Sequence, residues 1–110
     1  MSRVFLAAIA AAGLCLPLAA AEAKSARCFT TDDGEYDCTF VATDTDGGFE
    51  ISAPGKPTFF LLMTEPGVAS GYGDYGGEGH NVMLPGRYLR SEDDPACWEN
   101  DETETKICVW

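Results

Sequence analysis

Residues 28–38 read CFTTDDGEYDC, and the way this stretch folds back on itself sets the class of the whole chain. Its flanks favour strands, and Asp-Asp-Gly at its centre is turn chemistry. A three-residue loop Asp32-Asp33-Gly34, a type I turn with Gly34 left-handed, places Cys28 directly opposite Cys38. Counted outward from the closing pair Thr31/Glu35, 28/38 is a non-hydrogen-bonded pair, with Cα atoms ~4.5 Å apart, within reach of a disulfide. The closing stretch ACWENDETETKICVW, residues 96–110, repeats the logic. A four-residue loop Asp101–Glu104 closed by Asn100/Thr105 sets Cys97 against Cys108, and Glu99 then faces Lys106 as an opposite-charge pair. The geometry favours bridges 28–38 and 97–108, each stapling a hairpin. Pairing between the two hairpins is the alternative if they are neighbours.

Between the staples the signals are again for strands. Glu35 to Val41 alternates, with Tyr36, Cys38 and Phe40 on one side and Asp37 and Thr39 on the other. Phe49, Ile51 and Ala53 continue the alternation up to Pro54-Gly55, which suits a type II turn. The run TFFLLMT, 58–64, lies between Pro57 and Pro66 and reads as the most buried strand. Val82–Leu84 and Arg87–Leu89 flank Pro85-Gly86 and read as short strands paired with each other. The glycine-rich segment 71–79 fits no regular element, because glycine is costly to order. The expected fold is all-β, a small disulfide-stapled antiparallel sandwich or barrel of six or seven short strands. Its expected core is Phe29, Tyr36, Phe40, Phe49, Ile51, Phe59, Leu61, Met63, Val82, Leu84, Leu89, Ile107 and Val109, with Trp98 and Trp110 as core or hairpin cover. A core this small is marginal by burial alone, so the staples belong to its stability.

The N-terminus explains why the cysteines pair. Arg3 precedes an apolar run, Val4 to Leu18, which is broken by Pro17 and followed by small residues at 19, 21 and 23. That is the layout of a secretory leader, cut before Glu22 or Lys24, and the run is too short for a membrane span. Residues 1–23 are thus expected to be removed, leaving one exported domain, 24–110, with no span. The sequence has five cysteines. Loss of Cys15 with the leader leaves an even set, which in a small exported chain reads as a disulfide framework. Periplasm and medium both fit.

Seven Lys and Arg stand against 18 Asp and Glu, a net charge of −11, and loss of Arg3 and Glu22 leaves that balance unchanged. So acidic a surface repels nucleic acid and anionic lipid and attracts cationic partners. DTDGG, 44–48, begins like a calcium loop, so Asp44, Asp46 and Glu50 are candidate ligands for calcium. The loop does not continue in the EF-hand pattern, which wants Gly sixth and Glu twelfth where Phe49 and Gly55 stand. With every cysteine paired, no thiolate is free for catalysis or zinc. His80 is the only histidine, and no hydrolase elbow or zinc motif is present. A non-enzymatic role is therefore expected.

Exposed aromatics are the other signal. Ser70, Gly71, Tyr72, Asp74 and Tyr75 form a Tyr/Gly/Ser-rich segment on a stapled scaffold, the composition of a contact loop. The run VASGYGDY, 68–75, resembles the bacterial periplasmic inhibitors of lysozyme, small β-barrels whose Ser-Gly loop ending in Tyr enters the cleft of a basic enzyme. Ser70 and Gly71 match that loop. Tyr72 and Tyr75 depart from its spacing, and the Trp-Lys-Gly strand that follows it has no counterpart here. The expected function is an exported acidic binding module for a cationic protein or envelope component, and the resemblance implies an inhibitor of a lysozyme-like enzyme. The alternative is a calcium-stabilised structural or surface protein of the envelope.

Overall fold

A computed structural model describes residues 22–110; Cys15 and residues 1–21 of the expected leader lie outside the described residues. Nine strands follow one another: β1 Lys24–Thr30, β2 Gly34–Ala42, β3 Phe49–Ser52, β4 Thr58–Glu65, β5 Val68–Asp74, β6 Val82–Met83, β7 Tyr88–Arg90, β8 Cys97–Asn100 and β9 Lys106–Val109. They form one sheet in the order β4-β3-β2-β1-β9-β8-β7-β5, and β5 pairs back onto β4, closing an eight-stranded antiparallel barrel. The short β6 is an extra strand beside β7 on the free edge of β5. Of the two expected architectures the barrel is the one formed, with more strands than the six or seven expected. Closure leaves few sheet edges open, which suits a small all-β chain.

The seam is where the two stapled hairpins meet. β1 pairs with β9 through Cys28–Val109, Phe29–Cys108 and Thr30–Ile107, and the backbones of Arg27 and Trp110 exchange hydrogen bonds at 2.8 and 3.2 Å. Both bridges are within hairpins: Cys28–Cys38, with Cα atoms 5.9 Å apart, and Cys97–Cys108, at 4.0 Å. Strand alternation explains why neighbouring hairpins do not exchange partners. Cys28 shares its face with Val109, so Cys108 points the other way. Cys28 and Cys38 belong to the core cluster, whereas Cys97 and Cys108 lie outside it.

The second hairpin keeps the expected register, with Cys97 opposite Cys108, Glu99 opposite Lys106 and the loop closed by Asn100 N–H donating to Thr105 at 2.8 Å. The first does not. Cys28 lies opposite Tyr36, and Cys38 opposite Ala26, because the turn is Thr31-Asp32-Asp33 and Gly34, at φ 72°, already belongs to β2. Each partner is thus moved by two residues. An even shift keeps the side chains on their faces, so the cysteines remain diagonal neighbours and still bridge.

The interior is filled by side chains, as expected of a barrel this size. Phe49, Ile51, Phe59, Leu61, Tyr88, Trp98 and Ile107 pack with the 28–38 bridge, and full burial of Ile51 and Leu61 stabilises by about 1.5–3 kcal/mol each. Three expectations are corrected here. TFFLLMT is not the most buried strand: only Phe59 and Leu61 are buried, and Phe60 and Leu62 face outward, because a barrel wall has one interior face. Glycines 71 and 73 do lie in a strand, β5. There they face Leu61 and Phe59 across the pair, small against large, and the rings of Tyr88 and Tyr75 fill the space their side chains would take. Val82–Leu84 and Arg87–Leu89 do not pair with each other. Both segments attach to β5, the second through Tyr88 and Leu89 of β7, and Val82, expected in the core, is 55 % exposed on the overhanging β6.

Candidate functional site

One end of the barrel opens into a candidate site. The turns after β1, β5, β6 and β8 surround an open cavity of about 160 Å³, with Phe59, Leu84 and Ile107 as apolar floor and Thr30, Asp32, Tyr75, Tyr88, Thr105 and Lys106 among the residues around it. Barrel mouths of this kind are ready-made binding sites. The Tyr88 hydroxyl meets Thr105 Oγ1 at 3.3 Å, and Thr105 meets Thr103 at 2.9 Å, so the wall on that side is a row of hydroxyls.

Tyr75 stands at the rim, 58 % exposed. It is held nonetheless: its ring packs edge-on against Phe59 at 5.8 Å between centroids and covers the space above Gly73. Burial raises the pKa of its hydroxyl, with the neighbouring Tyr88 and Asp32 adding to the rise. A fixed, exposed phenol beside a carboxylate costs little conformational entropy to engage.

The loop that follows is ordered by Asp74. Its two carboxylate oxygens accept from Gly77 N–H at 3.0 Å and Gly79 N–H at 2.8 Å. The Gly79 amide is the main reason its pKa lies below the ordinary carboxylate value; burial opposes that and the Gly77 amide reinforces it. A carboxyl with a depressed folded pKa contributes fully above its unfolded value, ~3.9, and the contribution disappears as pH falls through the folded value. The amide chemical shifts of Gly77 and Gly79 should therefore hold steady from neutral pH to about 5 and move only below about 4. Asp74→Ala should give the released shifts at every pH, and shifts that stay put in that variant would show that something other than Asp74 orders the loop.

The structure separates the residues that the sequence grouped. Ser70, Gly71 and Tyr72 are not loop residues but lie in β5, with Tyr72 opposite Phe60 on the outer wall and Ser70 opposite Leu62. Only Asp74 and Tyr75 belong to the mouth. Nor do Asp44, Asp46 and Glu50 converge. Asp44 Oδ1 is occupied by the amides of Asp46, at 2.8 Å, and Gly48, at 2.9 Å, and no group of three or more acidic, His or Cys side chains placed to hold a metal ion occurs among the described residues.

Several other acids also serve turns. Asp101 accepts from Arg87 through its backbone at 2.8 Å and its guanidinium at 2.8 and 2.9 Å, and these contacts, the backbone one first, hold its carboxyl below the usual range. Asn100 Nδ2 donates to the Pro85 carbonyl at 2.8 Å, so the loops after β6 and β8 form one rigid rim. At the far end Asp94 accepts from Ala96 N–H at 3.0 Å and Trp110 Nε1 at 3.0 Å, which lower its pKa in that order. Asp32, Glu102 and Glu104 at the mouth make no salt bridge among the described residues.

Sequence reading missed Tyr88 and the Thr103/Thr105 hydroxyls. Tyr88 lies in a strand of three residues, too short for alternation to mark it, and the two threonines lie in the β8–β9 turn, where no periodicity applies. No protein-family model, no curated protein and no solved structure matches this chain.

Proposed function

We propose that this chain is an exported, non-enzymatic acidic binding module that takes a cationic protein or envelope component at the barrel mouth. An inhibitor of a basic, lysozyme-like enzyme is the concrete form of that reading. The observation that carries it is Tyr75: an exposed aromatic, fixed from below, beside Asp32 at an open cavity that Thr103 and Thr105 line from the β8–β9 turn, the turn that also carries Glu102 and Glu104. The net charge of −11 supports a basic partner. The two disulfides fit an oxidising compartment, and with it export. Ser70 and Gly71, which carry the resemblance to the lysozyme inhibitors, lie in β5, where Ser70 stands opposite Leu62 and Gly71 lies beneath Tyr88 and Leu84 of the mouth. The part of the segment left to enter a partner is the turn that begins at Tyr75.

The test is calorimetric titration of the oxidised 24–110 domain with a basic lysozyme, at about 50 and 500 mM salt. Binding should weaken at least about tenfold at the higher salt, and Tyr75→Ala should cost a further factor of about ten or more, as a central aromatic contact does. A pull-down from envelope extract, eluted with salt, extends the test to other basic proteins. Binding indifferent to both salt and Tyr75 would remove the proposal.

A further inference from the structure

The outer wall of β3–β4–β5–β6 carries a second feature. Strand register places Val41, Glu50, Phe60, Tyr72 and Met83 in one cross-strand row, each opposite the next, with Leu62 one step along β4 from Phe60. Leu62 is 41 % and Met83 61 % exposed, while Phe60 and Tyr72 are half-buried. An unbroken apolar run such as TFFLLMT is the pattern of a strand covered on both faces. In this barrel only its inner face is covered.

Charge decides between occupants. Between Lys56 and Arg87 the sequence contains no Lys or Arg, whereas the exposed Glu65 and Glu78 fall there, and Glu50, within the row, makes no ion pair among the described residues. A second copy would set acid against acid across the face, and an anionic lipid surface would meet the same repulsion. We infer that the Phe60/Leu62/Tyr72/Met83 wall is a docking face for a basic protein whose contact patch is apolar and ringed by Lys or Arg. The inference rests on the reading of this chain as a module for cationic partners, but assigns the apolar contact to the wall and leaves the mouth to Tyr75.

The probe is a synthetic amphipathic Leu/Lys helix peptide, with its Leu/Glu counterpart as control, titrated into the isotopically labelled oxidised domain at about 50 mM salt and followed by amide shifts. The Leu/Lys peptide should move amides of β4 to β6 and the Leu/Glu peptide should not. Met83→Glu, and the pair Leu62→Glu/Met83→Glu, should each weaken binding, the pair by about tenfold or more. The added negative charges would by themselves strengthen it, so a loss reports the apolar contact. Unchanged melting of Met83→Glu confirms that the barrel is intact. Equal binding by wild type and wall variants, or shifts confined to residues 75–81 and 101–105, overturns the wall and leaves the mouth reading standing. Absence of binding by the wild type overturns both, and concentration-dependent dimerisation lost in Met83→Glu assigns the face to self-association instead.

Discussion

Reduction of both disulfides should unfold the domain at physiological temperature. The bridges close loops of 10 and 11 residues, and in the chain-entropy model each such loop contributes about 2.5–3 kcal/mol. A barrel of this length holds only about 5–10 kcal/mol in total, so loss of both bridges removes most of it. The two are not equal. All four cysteines are buried, but Cys28–Cys38 packs within the core cluster, while Cys97–Cys108 is outside that cluster. Replacing Cys28 and Cys38 by Ala should therefore cost about 1–2 kcal/mol more than replacing Cys97 and Cys108, the excess coming from the cavity left behind. Urea titrations of the two double variants measure this. Equal midpoints would mean that chain entropy alone is at work. Both bridges also flank the β1–β9 seam, which joins the first strand to the last through three residue pairs. Holding each hairpin formed before the seam closes lowers the entropy cost of closure.

Gly71→Val should be close to as damaging from a single site. A Cβ at residue 71 would lie 2.6 and 2.9 Å from two ring carbons of Tyr88 and 3.3 Å from Leu84 Cδ1. Tyr88 is buried and tied to Thr105 through its hydroxyl, so its ring has little room to give. Overpacking of this kind costs about 1–3 kcal/mol for one added carbon, and Gly71→Ala should fall at the upper end of that range. Gly71→Val, with three carbons, should leave no folded population at about 25 °C. Gly76→Ala is the control, since nothing lies closer than 3.9 Å to its Cβ position, and it should stay within about 0.5 kcal/mol of the parent. Tyr88→Leu should recover part of the Gly71→Ala loss, a coupling visible in a double-mutant cycle. Simple additivity would place the strain somewhere other than between these two residues.

A one-dimensional pattern does not say how many faces of a strand will be covered. TFFLLMT has no alternation, so its outward half, Phe60 and Leu62, was indistinguishable from its inward half. Glycines 71 and 73 carry no side chain to alternate, and read as loop until Tyr88 and Tyr75 arrive from other strands to cover them. In the first hairpin Asp32-Asp33-Gly34 and Thr31-Asp32-Asp33 are both reasonable three-residue turns, and the choice between them moves every pair by two. The candidate mouth was legible only in Asp74 and Tyr75, because its other walls come from turns far apart in sequence.

What the sequence determined by itself was local: turn chemistry, alternation in β2 and β3, and the hairpin spacing of four cysteines that leads to bridges 28–38 and 97–108. These depend on residues within about a dozen positions of one another, where loop closure costs little entropy and hairpin geometry leaves few choices. Tertiary structure alone decided the closure of β5 onto β4, the seam of β1 with β9, the place of Tyr88 over Gly71 and the separation of Tyr72 from Tyr75. Each of those sets one strand face or edge against another, and which of them meet is settled only when the whole set of strands packs around a single core.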